Sequence, residues 1–451
     1  MTKFLEDINA FVWGIPALVL ILGVGGFLSV RTGFAQLRLF PAAVRTFLRR
    51  LTGGNKEDGS SFRCLCTALA ATVGTGNLAG VAGAICLGGP GAILWMWICG
   101  FFGMATKYAE AVLAVRYREE RRTEIRGGPM YIITHGLGAK WKPLAKCYCL
   151  FGVLASFGVG NAAQINTVTA GIRSVLLRSG MEPTRKGELL LGLILALLVG
   201  ASLLGGAKRI GMIAEKMIPL VSAGYLILCA AVLILRFREI PGAFGCIFQG
   251  AFSPRAVTGG VLGSSFQALR IGCSRGVFTN EAGMGTAAIA HGGARVRHPA
   301  EQGMMGIMEV FLDTIVICTL TALVILISGV KIPYGTDAGA DLTEQAFSGV
   351  LGDWVSIFLA AALCCFAFAT VLGWGLYGGR CLEFLLGVPA WKSFSLAQAG
   401  MALLGAVLGT GPVWLLADLF NGLMAIPNLF TLAMLSTEVH RLTIDYRKTG
   451  A

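Results

Sequence analysis

Charge is what this chain has least of. Asp, Glu, Lys and Arg make up 14% of its 451 residues, against roughly 25% in an ordinary soluble domain, and hydrophobic residues make up 55%. A water-soluble fold of that composition would expose large apolar patches, whereas a bilayer accepts them on helices whose backbone groups are bonded internally. The sequence therefore reads as an all-α integral membrane protein. Histidine is sparse too: His135, His291, His298 and His440 are the full set, and none has metal-ligand spacing. H-E-x-x-H, C-x-x-C, G-x-S-x-G and a glycine loop ending in G-K-[ST] are all missing. Their absence removes the zinc-protease, redox, serine-hydrolase and nucleotide-loop chemistries, so the chain is not expected to be an enzyme or to hold a resident cofactor. The thirteen cysteines lie in or beside apolar segments and read as small packing residues. The formal charge of +13 is spread in short runs between hydrophobic stretches, which suits topology signals and excludes a nucleic-acid patch.

Long apolar stretches and glycine are what the chain does have. Its 63 glycines fit helices that approach closely in lipid. Eleven stretches are long enough to cross a bilayer, at about 9–30, 62–88, 90–116, 145–177, 187–205, 209–235, 258–292, 303–329, 354–386, 393–410 and 412–439. The first lacks an A-x-A cleavage site and reads as a retained helix. No soluble domain is left between them, so 1–451 is one transmembrane unit. Arg38, Arg45, Arg49, Arg50 and Lys56 crowd one connection, and Arg118, Arg121, Arg122, Arg126 and Lys140 crowd another; both are expected in the cytoplasm. The connection with Asp337, Asp341, Glu344 and Asp353 is expected outside. Eleven crossings then put the amino terminus outside and the carboxyl terminus in the cytoplasm, with Arg178, Arg185 and Lys186 a mild exception.

With the 9–30 helix set aside, residues 62–235 and 258–439 share one pattern of spacing: a glycine-interrupted span, a long helix, a loop, and three more helices. Five is odd, so the halves start on opposite sides. That pattern is expected of a five-plus-five inverted repeat with two discontinuous helices, whose ligand site lies where the broken helices meet.

The first interrupted span reads Thr72-Val-Gly74-Thr75-Gly76-Asn77. Each glycine weakens a helix by roughly 1 kcal/mol relative to alanine, so the span is expected to unwind there. Unwinding frees carbonyls for a cation and amides for a carboxylate. The same glycines, with Gly80, would also suit a small-x-x-x-small packing face. The second interrupted span carries Arg275, Phe278, Thr279, Asn280, Glu281, Gly283 and Gly285. Charges at membrane depth normally face a cavity or a partner, and Arg275 and Glu281 are read as a gate or brace for each other. Asn161 and Gln164 either line a polar cavity or join helices. Thr370 and Trp374, four apart on one helical face, pair a hydroxyl ligand with an aromatic lid. Lys107 with Glu110, and Glu309 with Asp313, read as intramembrane charges that are either functional or structurally partnered.

The runs Gly74-Thr-Gly-Asn-Leu-Ala-Gly80, Phe102-Gly-Met-Ala-Thr-Lys-Tyr-Ala-Glu110, Gly127-Gly-Pro-Met130, Arg275-Gly-Val-Phe-Thr-Asn-Glu-Ala-Gly283 and Thr370-Val-Leu-Gly-Trp374 resemble the alanine or glycine:cation symporter family of prokaryotes. The resemblance covers about residues 10–440. It implies a leucine-transporter-type fold of ten core helices preceded by one extra helix, in the plasma membrane of a prokaryote, or the inner membrane if Gram-negative. It implies sodium-driven uptake of small neutral amino acids such as alanine and glycine. Carried over residue by residue, it puts substrate at Gly74, Thr75, Gly76, Asn77, Gln164, Phe278, Asn280, Thr370 and Trp374. Sodium, the coupling ion, would be held by carbonyls near Ala71 and Gly74 and by the Thr370 hydroxyl, a hard-cation set of oxygens. The family's usual serine before Asn280 is Thr279 here, and the added methyl is expected to tighten the pocket. A proton-coupled carrier of the same fold, using Glu110, Glu281 or Asp313, is the alternative.

Overall fold

A computed structural model describes residues 2–52, 56–120, 124–178, 180–182, 184–253, 258, 264–337, 339–407 and 411–449. Helices dominate. In chain order the main ones are α1 (Ile15–Arg31), α2 (Lys56–Thr72), α3 (Val81–Gly88), α4 (Ala92–Arg116), α5 (Lys142–Phe157), α6 (Ala163–Arg178), α7 (Arg185–Leu204) and α8 (Gly206–Leu235). There follow α9 (Ser265–Asn280), α10 (Thr286–His291), α11 (Pro299–Val310), α12 (Cys318–Ile327), α13 (Trp354–Leu386), α14 (Ala390–Val407), α15 (Gly411–Met434) and α16 (Ser436–Thr449). Several connections also coil into helices that hydropathy did not mark, at Phe40–Leu51, Ile240–Phe252 and Gly339–Leu351. They are too short to span.

Among the described residues, six helical stretches are long and apolar enough to cross a bilayer, and two further bent pairs bring the total to eight if each is one span. The burial pattern is that of a protein in lipid. On α7 and α8 the outward residues are Leu193, Leu197, Leu220, Ile227 and Ile234, with Leu220 75% exposed, while Lys107, Glu110, Asn161, His291 and Asp313 are buried completely. Water would reverse that preference; hydrocarbon rewards it. The nearly all-buried α4 packs against α9 and α11, and α13 packs against α2, α5 and α6. The leading segment leans on α15, with the Asn9 amide and the Trp13 indole donating to the Asp418 carboxylate and carbonyl, each at 3.0 Å.

Both interrupted spans part where glycine predicted. The α2 helix ends at Thr72, and the axis resumes at Gly76 as a π-helical turn, Gly76–Gly80, leading into α3; the two halves are bent by 53°. The α9 helix stops at Asn280, a turn runs through Glu281 to Gly285, and α10 follows. Other π-helical turns, Gly158–Ala162 and Phe311–Ile317, interrupt the helices that lie alongside.

Candidate functional site

The first break is held by its own asparagine. The Asn77 Oδ1 accepts from the Gly74 N–H at 2.8 Å while the Asn77 N–H donates to the Gly74 carbonyl at 3.2 Å. Its Nδ2 donates to the Asp313 carboxylate at 2.7 Å and to the Asp313 carbonyl at 3.1 Å. The second break is built alike. Asn280 Oδ1 accepts from the Ala282 N–H at 2.9 Å, and its Nδ2 donates to Thr314 Oγ1 at 3.2 Å. Each asparagine replaces helical hydrogen bonds that the break has removed, which a buried backbone requires. Asn77 and Asn280 therefore brace the two breaks and do not line the cavity between them.

That cavity is small and polar. It has about 20 Å³ of free space and is lined by Ala71, Thr72, Thr75, Gly76, Val159, Gln164, Phe278, Glu281, Thr370, Trp374 and Asn421. The volume accommodates about one water, so an amino acid needs Phe278 or Trp374 to move. A second, larger space of about 690 Å³ shares Thr75 and Phe278 with it and is flanked by Trp13, Arg275, Asp337 and Asp418. Thr75 and Phe278 are thus the wall between a vestibule and the cavity. Of the residues the sequence singled out, Ala71, Thr75, Gly76, Gln164, Phe278, Thr370 and Trp374 converge here. Gly74 sits just behind, facing the Thr370 hydroxyl. The Thr75 hydroxyl reaches Gln164 Oε1 at 3.4 Å, and Gln164 Nε2 donates to the Val159 carbonyl at 3.2 Å.

Glu281 is the cavity residue whose place the sequence did not assign correctly. It was read as a partner of Arg275, but Arg275 pairs with Asp337 at 2.9 Å. Glu281 turns inward instead: the residue just after α9, it takes the left-handed conformation, φ 52°, and carries its side chain across the break. Its Oε1 accepts the Trp374 indole N–H at 3.0 Å and its Oε2 accepts the Thr286 hydroxyl at 2.7 Å. A left-handed non-glycine residue is strained and concentrates at functional sites. Glycine at Gly283 and Gly285 marked the turn; nothing marked which way the carboxylate would point. Trp374 is fixed from behind by Gly160, where a Cβ would lie 2.4 Å from the Trp374 Cβ. Asn161 is a helix joint, donating to the Gln398 carbonyl at 2.9 Å.

Thr279 lies outside the cavity. Its hydroxyl donates to the Arg275 carbonyl at 2.7 Å, and its methyl faces Gly76, so the change from serine acts on the first break and not on pocket width. The Thr370 hydroxyl faces the end of α2, donating to the Ala70 carbonyl at 3.1 Å and the Phe366 carbonyl at 3.0 Å. The Thr370 hydroxyl thus meets the end of α2 where Gly74 packs against it. At one end of α13, Arg380 is enclosed by Glu383 at 2.7 Å and by Glu124, which directly precedes the short strand Ile125–Arg126. Burial would raise the Glu124 carboxyl, but hydrogen bonds from Arg380 and Arg126 outweigh it and hold it below its ordinary value.

Two broken helices with a small polar cavity between them are the arrangement of a leucine-transporter-type fold. The crystal structure of MhsT in complex with L-phenylalanine superposes with a TM-score of 0.56, covering 85% of this chain and 97% of that one, at 14% identity; at that identity the likeness concerns the fold alone. A profile of the sodium:alanine symporter family matches residues 1–451, and the chain belongs to that family. Similar proteins include the sodium/alanine symporter AgcS of Methanococcus maripaludis, 43% identical over 97% of this chain and 95% of its own length. Another is the amino-acid carrier protein AlsT of Bacillus subtilis (strain 168), 36% identical over 97% of this chain and 90% of its own length.

Proposed function

We propose that the chain carries a small neutral amino acid, alanine or glycine, into a prokaryotic cell together with sodium, by alternating access. The observation that carries this reading is the small polar cavity between the two breaks, which shares Thr75 and Phe278 with a larger vestibule. In this reading 62–235 and 258–439 are inverted repeats within eleven crossings, 9–30 stands outside them, the amino terminus is outside and the vestibule faces outward.

A carboxylate entering past Phe278 meets the backbone amides of the Gly74–Asn77 turn. The Asn77 N–H is engaged with Gly74, so the contact falls to Thr75 and Gly76. The ammonium group lies toward Gln164, the Phe278 carbonyl and the Glu281 carboxylate, which supplies its counter-charge. Trp374 and Phe278 limit side-chain length, so the pocket selects small residues. Sodium is held by carbonyls near Ala71 and Gly74 and by the Thr370 hydroxyl. Ion and substrate together favour the closed state, and their differential affinity for the two states supplies the coupling.

Alanine uptake into proteoliposomes under an inward sodium gradient tests this. Thr370→Ala is expected to raise the sodium concentration for half-maximal uptake about tenfold or more, one good ligand being worth about 1.4 kcal/mol. Uptake that runs on a pH gradient without sodium would instead favour a proton-coupled carrier. Uptake indifferent to both gradients would remove the coupling altogether.

A further inference from the structure

Glu110, on α4, has no exposed surface and takes no part in the cavity. Its Oε1 accepts three hydrogen bonds, from the Gly283 N–H at 3.0 Å, the Gly285 N–H at 3.1 Å and Asn428 Nδ2 at 2.8 Å. Its Oε2, equally buried, accepts none. Among the described residues Glu110 makes no ion pair. The ammonium of Lys107, one helical turn away, is directed to Glu309 at 2.7 Å. As a carboxylate, Glu110 would keep one oxygen of a buried anion without a donor, which is costly in a low-dielectric interior.

Asn428 has the complementary defect. Its Nδ2 donates both to Glu110 and to the Gly283 carbonyl, the latter at 2.8 Å, and these two bonds fix which end of the amide is nitrogen. Its Oδ1 is then a buried acceptor without a donor. The two orphaned oxygens belong to side chains already joined through their other atoms. One hydrogen on Glu110 Oε2 satisfies both, because a carboxylic acid and a primary amide can each donate to the other across a planar ring.

We propose that Glu110 is a proton-binding site: in this structure it is a carboxylic acid whose Oε2–H donates to Asn428 Oδ1. Losing the proton to water leaves a carboxylate that must find a new donor. Two of the three existing donors are amides of the turn that follows Asn280, so the proton bears on the segment that brings Glu281 to the cavity. The groups facing this site are Lys107 on α4, Glu309 on α11, His291 on α10, Glu281 on the turn, Tyr148 on α5, Tyr377 on α13 and Asn428 on α15. Lys107 and His291 each bond to Glu309, and Glu281 is occupied by Trp374 and Thr286. The hydroxyls of Tyr148 and Tyr377 are buried without a partner and neither bonds Glu110 Oε2.

Infrared difference spectroscopy on the purified full chain, in H₂O and D₂O, tests the site. Wild type minus Glu110→Gln should show a carboxylic-acid carbonyl band at neutral pH, the same in sodium and in potassium. Asn428→Leu, which removes the acceptor, should shift that band. As pH rises the band should vanish and the wild-type melting temperature fall, because proton loss leaves a buried charge, while Glu110→Gln stays flat. A difference spectrum with no acid band overturns the proposal. So does a band that appears only when sodium is withdrawn, which would make these oxygens a sodium site. If Glu110→Gln does not fold, acid bands left unmoved by Asn428→Leu overturn it equally. The measurement reads a proton, not a transport rate, so it stands or falls apart from sodium-driven uptake.

Discussion

Replacing Lys107 with methionine is expected to destabilise the folded protein by about 3–5 kcal/mol, the usual cost of leaving one member of a buried ion pair alone. Lys107 and Glu309 are 0% and 1% exposed, and the pair ends a longer chain of contacts. Arg50 donates to Ser61, Ser61 to Gln302, Gln302 Nε2 to His291 Nδ1 at 2.7 Å, and His291 Nε2 to Glu309 at 2.8 Å. Every donor points the same way, which assigns His291 the neutral tautomer with its proton on Nε2. The chain joins the Phe40–Leu51 helix, α2, α11, α10 and α4. A thermal melt of the purified protein measures the loss. Adding Glu309→Gln should recover part of it, since the remaining side chain is neutral; a single Lys107→Met variant that melts with wild type would contradict the pairing.

Gly76→Ala should abolish uptake, and Thr279→Ser in the same chain should restore a large part of it. A Cβ at Gly76 would lie 2.7 Å from the Thr279 methyl, whereas the next neighbours, Thr279 Cα at 3.4 Å and a Phe278 ring carbon at 3.7 Å, are ordinary contacts. Overpacking of this kind costs about 1–3 kcal/mol, and here the strain falls where both breaks touch. A double-mutant cycle on uptake separates the clash from other effects. If the two substitutions simply add, the methyl is not what excludes alanine at Gly76.

The positions of both breaks were legible because their cause is local. Glycine at Gly74, Gly76, Gly283 and Gly285 destabilises a helix whatever surrounds it, and asparagine beside it offers replacement hydrogen bonds. Thr370 and Trp374 were legible for the same reason, as neighbours on one helical face. Pairings across long stretches of chain were not. Lys107 and Glu309 are separated by 202 positions and Glu281 and Trp374 by 93, and no pattern in the sequence chooses those partners over nearer ones. The nearer choice, Arg275 with Glu281, failed because the first turn beyond α9 winds left-handed and sends the two side chains apart. Thr279 was misjudged similarly: a methyl's effect depends on which face of α9 it occupies, and that face meets Gly76.

The π-helical turns at Gly76–Gly80, Gly158–Ala162 and Phe311–Ile317 carry a wider hydrogen-bonded loop than the α-helices on either side, and such turns recur at functional places. Each holds surplus length. Excising one amino acid elsewhere in a span would rotate everything downstream by about 100°, but within such a turn the ladder can close up and leave the flanking faces in register. Shortened by one at Phe311–Ile317, the chain would still have a seamless rod there, without the slack that lets Asp313 and Thr314 reach the two asparagines.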